Sequence, residues 1–356
     1  MVIERAREIV RQHGWNTTCS QILNPGITYW FAPEGDAVVG YVRVAGVSVV
    51  VGAPVCAEAR LAAVVEAFEA AAGRVCYFGA EARMHGLLSG RPGYATVVLG
   101  AQPVWTPEGF LRACGERRSL RYQLSRARNK GVTVEEWPGA RGDDPRLWGI
   151  LDEWLATRGL PAMRFMVEPR TLAHLVDRRL FVALRAGEPV GFVVMSPAPA
   201  RRGWLTEQFP RGRRAPNGTV ELNLAEAIRA VMPDADFVTM GIVPLSWRAG
   251  EPVDHPWWLR LATQWARAHG RRFYDFGGLD EFKAKFGPDE WEPIYAISRE
   301  ARFSPRTLWA VAGAFSDGSP VVSLLRGLGR AARQEWRWFR SSPLPSGGEG
   351  SGVRGP

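Results

Sequence analysis

Two stretches of this chain carry the same succession of signals, and that repetition constrains the fold more than any single motif does. From residue 27 to 52 apolar and polar residues alternate in strand fashion, broken by turn residues at Pro33-Glu34-Gly35-Asp36 and at Ala45-Gly46. A helical stretch runs from Ala57 to Ala72, and buried strands follow over residues 74–80 and 93–105. Thr106 and Pro107 open a helix as N-cap and first residue, and a basic helix from Glu116 to Lys130 stops at Gly131. The second stretch begins with a helix from Asp144 to Arg158. It continues with a hairpin around Ala186-Gly187-Glu188-Pro189, a helix from Glu221 to Met232 and one strand through DFVTMGIVPLS. A helix from Trp257 to His269 and a strand over RFYDF complete it. The pattern of hairpin, helix, strand, helix, strand thus occurs twice without repeating the sequence, which predicts two related α+β units side by side. The expected divisions are 1–131, 132–318, an amphipathic helix over 319–340 and a disordered tail over 341–356, where SSPLPSGGEGSGVRGP is of low complexity.

A length of 356 residues suits two such units, and 46% hydrophobic residues supply their cores. With 45 basic against 36 acidic residues the net charge is +9, which favours an anionic partner. Cys19, Cys56, Cys76 and Cys114 stand far apart without a CxxC spacing, so buried reduced thiols are expected rather than a disulfide framework or a zinc site. The N-terminus is a charged helix without a signal-peptide apolar region, and no run reaches the roughly 20 apolar residues that span a bilayer. A soluble or peripheral protein is expected.

The stretch from Arg272 to Tyr295 holds two of the three lysines in a chain with 42 arginines. It reads as a strand over Phe273–Phe276, a break at Gly277 and Gly278, a brief helix from Leu279 and an aromatic return strand. At 100° per residue Leu279, Phe282 and Phe286 share one face, with Lys283 and Lys285 flanking it. As surface helix pairs, Asp280–Lys283 and Glu281–Lys285 would contribute about 0.2–0.5 kcal/mol each. An ammonium differs from a guanidinium in size, hydration and ease of pKa shift, so the choice of lysine here points to chemistry. Asp275 is a weaker candidate at the end of the preceding strand.

Three basic segments stand out. Arg117, Arg118, Arg121, Arg126, Arg128 and Lys130 face only Glu116 in sequence, a pattern suited to phosphates, whose counterions are released on binding. Arg201, Arg202, Arg211, Arg213 and Arg214 surround a loop that ends in an Asn217-Gly218 turn. Glu207 precedes that loop and Glu221 follows it. A carboxylate near a strand end facing a basic loop, as Glu207 is, suits a general base or an amine-recognition group, and a loop salt bridge explains it equally well. In the last segment Ser319 and Pro320 open a helix in which Arg326, Arg330, Arg333, Arg337 and Arg340 fall within an arc of roughly 80°. With Trp336 and Trp338 near its end, this helix suits an anionic membrane surface, although docking on the protein's own core is the commoner fate of such a helix. A Walker loop, a GxSxG elbow, an HExxH pair and a Rossmann fingerprint are all missing from the sequence.

The segments RRSLRYQLSRARNKG, DEWLATRG, RRAPNGTVELNLAEAI, MGIVPLS and RFYDFGGLDEFKAKFGPDEWEPIYAI resemble the C-terminal catalytic domain of the phosphatidylglycerol lysyltransferase (multiple peptide resistance factor) family. The resemblance extends from about Thr28 to Ala314 and is most specific in FYDFGGLDEFKAKF and WEPIY. It implies two tandem acetyltransferase-like (GNAT) units, with the reaction centre toward the second. It also implies transfer of an aminoacyl group from aminoacyl-tRNA to a hydroxyl of a membrane lipid, without a metal or organic cofactor. Members commonly carry a large transmembrane region absent from this sequence, and Glu221 stands where they often have Asp.

On that resemblance Glu207 or Glu221 would orient the acceptor or the substrate ammonium. Lys283 or Lys285 would meet the terminal phosphate or the developing charge. The arginines of the first basic helix would grip tRNA phosphates, and the last helix would hold the enzyme at the inner face of the cell membrane. The alternatives are an acyl-CoA-dependent N-acyltransferase, for which Arg211-Gly212-Arg213-Arg214 lacks the usual glycine spacing, and a non-catalytic tRNA- or membrane-binding protein.

Overall fold

A computed structural model describes residues 1–157, 164–250, 258 and 276–316. The first half opens with α1 (Val2–His13), then an antiparallel meander of β1 (Thr28–Phe31), β2 (Val38–Val44) and β3 (Val47–Val51). Helix α2 (Leu61–Ala72) crosses to β4 (Val75–Ala80), which pairs parallel with β3; α3 (Ala82–Leu88) and β5 (Ala95–Trp105) follow. After α4 (Pro107–Glu116) and α5 (Arg118–Asn129) a second meander begins with β6 (Val132–Trp137). Helix α6 (Pro145–Ala156) leads into β7 (Arg179–Arg185), β8 (Glu188–Ala198) and β9 (Gly203–Gln208). Helix α7 (Thr219–Val231) then crosses to β10 (Phe237–Thr239), which is parallel to β9. The remaining described elements are β11 (Val243–Pro244), α8 (Phe276–Ala284), β12 (Glu290–Ser298) and α9 (Pro305–Phe315). Each half therefore combines an antiparallel meander, a helical crossover and one parallel strand, the α+β architecture expected from the repeated pattern.

All the described strands join one mixed sheet in the order β1-β2-β3-β4-β12-β5-β10-β9-β8-β7-β6, with β11 paired to β5. The late strand β12 lies between β4 and β5, antiparallel to both, and so closes the sheet of the first half. Alternation along the strands sends side chains to opposite faces. Val182, Phe192 and Val194 pack with Leu147, Ile150 and Leu151 of α6 on one face. Phe181, Val193 and Met195 pack with Leu120 and Leu124 of α5 and Leu224 and Ile228 of α7 on the other. The turn between β7 and β8 uses Ala186 and Gly187, both at positive φ as a two-residue hairpin requires. All four cysteines are free and buried.

A buried polar network also ties the halves together. Arg201 donates to Glu292 at 2.7 Å and to Glu81 at 3.0 Å. Gln102 donates to Glu292 at 2.9 Å, and the Thr17 N–H donates to Glu81 at 2.7 Å. Burial raises the Glu81 carboxyl to about 7, against the opposing pull of Arg201.

Several sequence expectations are corrected. Gly277 and Gly278 do not break the chain but lie inside the first turn of α8, which starts at Phe276. First-turn amides need no partner within the helix, so glycine costs little there. The basic helix starts at Arg118, because Arg117 is extended (φ −71°, ψ 115°) and caps it. The single strand expected through DFVTMGIVPLS is two short strands, since the carbonyls of Met240, Gly241 and Ile242 turn away to Lys283. Among the described residues no helix is long and apolar enough to cross a membrane.

Candidate functional site

Helix α8 and the residues after it present two lysines to different environments. Lys283 is only 3% exposed. Its Nζ donates to the carbonyls of Met240 (2.6 Å), Gly241 (2.8 Å) and Ile242 (3.1 Å), using all three ammonium protons. Burial lowers its pKa to about 7, with Asp280 pulling the other way. Asp280 itself accepts from Ser246 Oγ at 2.6 Å and Arg248 Nε at 2.8 Å. Neither surface helix pair expected here forms, because the partners lie across the fold.

Lys285 reaches Glu221 on the first turn of α7, Nζ to Oε1 2.6 Å, and sits 4.0 Å over the Phe282 ring. Phe282 stacks on Phe209 with centroids 5.7 Å apart. Phe286 is fully buried against Phe110, which contributes roughly 1.5–3 kcal/mol of apolar burial and anchors the segment. Arg117, the cap before α5, joins by donating to the Lys285 carbonyl at 3.3 Å. The start of α7 also meets α5. Gly218, at φ +93°, approaches so closely that a Cβ there would lie 2.0 Å from the Gln123 carbonyl oxygen. Helices α5, α7 and α8 thus converge on Lys285 and Glu221.

Beside this convergence opens a cleft of about 620 Å³. Phe209, Val220, Leu279 and Phe282 form apolar walls, and Arg211 and Arg213 contribute exposed cations. Asn217 accepts from Arg211 at 3.4 Å, and Glu153 of α6 accepts from the Arg213 N–H at 2.9 Å. Apolar walls with a few fixed polar groups are what a small-molecule site requires.

Other candidates lie elsewhere. Glu207 forms a buried pair with Arg178 at 2.8 Å, and Arg178 also donates to Asn24 Oδ1 at 3.2 Å. That places Glu207 against a bridge to the first half. Arg118, Arg121, Arg126 and Lys130 are exposed along α5 and its end, while Arg128 pairs with Glu226 at 3.0 Å. Arg214 is exposed on the loop before α7. Asp275 and the membrane-helix candidates Arg326, Arg330, Arg333, Trp336, Arg337, Trp338 and Arg340 lie outside the described residues. Phe209, Glu153 and Asn217 line the cleft without a signal in the sequence that marks them for it. Asn217-Gly218 was visible as a turn, but nothing in the spacing linked it to α6.

The family model for "Phosphatidylglycerol lysyltransferase, C-terminal" matches residues 7–298. The chain belongs to this family. The fold agrees with that of the C-terminal domain of a putative lysylphosphatidylglycerol synthetase from Agrobacterium fabrum, at TM-score 0.72 and 22% identity over 89% of this chain and 97% of that one. It agrees equally with L-PGS from Bacillus licheniformis, at TM-score 0.71 and 20% identity over 93% and 97%. No curated protein sequence matches. The family is one of phosphatidylglycerol lysyltransferases, which favours neither the acyl-CoA nor the non-catalytic reading.

Proposed function

We propose that this protein moves an aminoacyl group from aminoacyl-tRNA to a hydroxyl of a membrane lipid such as phosphatidylglycerol, and that the cleft beside Glu221 and Lys285 is where the ester changes hands. The observation that carries this reading is the convergence of the basic helix, through Arg117, on the Lys285–Glu221 pair at the edge of an open cleft. The acceptor hydroxyl attacks the aminoacyl carbonyl, a tetrahedral oxyanion forms, and the terminal ribose oxygen leaves with the proton. Glu221 receives the acceptor proton or holds the substrate ammonium, and Lys285 meets the developing negative charge or the terminal phosphate. Arg211, Arg213 and Arg214 bind phosphates at the cleft, as do Arg117, Arg118, Arg121, Arg126, Arg128 and Lys130 along α5. Glu207 and Lys283 act as braces in this proposal, since Arg178 and three backbone carbonyls already occupy them. The division into units at 131/132 and contact with the inner membrane face through the C-terminal helix belong to the same proposal.

The test is incubation of the purified protein with labelled aminoacyl-tRNA and phosphatidylglycerol vesicles. Label in the lipid fraction, lost with Lys285→Met, supports the reading; a folded protein that leaves all label on the tRNA refutes it.

A further inference from the structure

We propose that the exposed ring of Tyr122 is a stacking platform for an unpaired RNA base, flanked by phosphate contacts at Arg118 and Arg126. The inference deepens the proposed use of aminoacyl-tRNA and rests on it for the identity of the RNA.

Tyr122 is 62% exposed in the middle of α5. Arg118 and Arg126 lie one turn before and one turn after it, each step of four residues advancing about 6 Å along the helix. Both arginines are exposed, and among the described residues neither has a carboxylate within salt-bridge reach. Their neighbours differ: Arg128 pairs with Glu226, and Arg121 donates to the Gly115 carbonyl. The stripe therefore presents cation, aromatic ring, cation.

Folding does not explain the ring. The apolar side of α5, Leu120, Leu124 and Ala127, is already buried in the protein core. That burial also argues against a membrane as the occupant. A helix lying in the interface sinks an apolar face among the acyl chains, whereas here a single ring is left outside. A single-stranded polyanion has the complementary chemistry, phosphates for the guanidinium groups and a π-face on every base for the ring. An aminoacyl ester sits on the unpaired end of its tRNA. Arg117, immediately before the helix, donates to the backbone carbonyl of Lys285, whose ammonium pairs with Glu221, so the start of the helix is tied to the segment that carries the pair.

The experiment measures binding of a short fluorescent single-stranded RNA across a salt series, alongside sedimentation with phosphatidylglycerol vesicles. Tyr122→Ala is expected to weaken RNA binding roughly tenfold with an unchanged salt slope, and Tyr122→Phe to bind as the wild type does. The double variant Arg118→Ala, Arg126→Ala is expected to flatten the slope of log K against log salt by about 1.4. Vesicle binding should be unaffected by Tyr122→Ala. Wild-type RNA affinity in Tyr122→Ala, or a loss confined to vesicles, overturns the proposal. The lipid-labelling assay separates the two readings. Labelling together with Tyr122-independent RNA binding removes the platform alone, and Tyr122-dependent binding without labelling removes the reaction alone.

Discussion

The Lys285 ammonium stands 2.6 Å from the Glu221 carboxylate, joining the residues after α8 to the first turn of α7 across 64 positions of sequence. Lys285→Met and Glu221→Gln are each expected to lower lipid labelling by about 10²-fold or more in single-turnover assays. The double variant should lose little beyond either single one, because the two groups act as a unit. Losses that multiply would show that the residues work separately.

Lys283 should matter chiefly to the fold. Lys283→Met leaves the Met240, Gly241 and Ile242 carbonyls without their donor, and buried unpaired groups cost about 1–3 kcal/mol each. A fall in the urea midpoint, with faster amide exchange around residues 237–244, is the expected result. An unchanged midpoint would show that the carbonyls find other partners.

Gly218 tolerates no side chain. Alanine there meets the Gln123 carbonyl at 2.0 Å and must also adopt φ +93°. Gly218→Ala is expected to destabilise by roughly 2 kcal/mol or more, read by thermal denaturation, by pushing α7 off α5.

Glu81 introduces a pH dependence of defined sign. Its carboxyl is raised from 4.5 to about 7, so the folded protein holds the proton more tightly than the unfolded chain does. The resulting stability is fully present below pH 4.5 and is lost as pH rises through about 7. Subtracting the urea-midpoint profile of Glu81→Gln from that of the wild type should expose this slope. A flat difference would mean that the pull of Arg201 fully offsets burial and leaves the carboxyl titrating as it does in the unfolded chain.

Periodicity made most of the elements legible, because alternation and helical spacing record which side of each element is buried. The Thr106-Pro107 start and the Ala186-Gly187 turn were visible for the same local reason. What stayed hidden was long-range pairing. Nothing near Lys283 in sequence announces carbonyls 41–43 residues away, so it and Lys285 looked alike, although one is enclosed and the other faces Glu221. Glu207 and Glu221 were indistinguishable for a similar reason. Arg178, which occupies Glu207, carries no local signal, and Arg117 looked like helix interior although its extended backbone makes it the cap.

The position of β12 bears on how the polypeptide is born. While a ribosome is still synthesising the second half, β4 and β5 must wait with open hydrogen-bonding edges for a partner that emerges nearly 200 residues after β5. Premature release or truncation before residue 290 would expose both edges to other nascent chains. Production of the intact protein is therefore expected to depend on protection of the unfinished first half during translation.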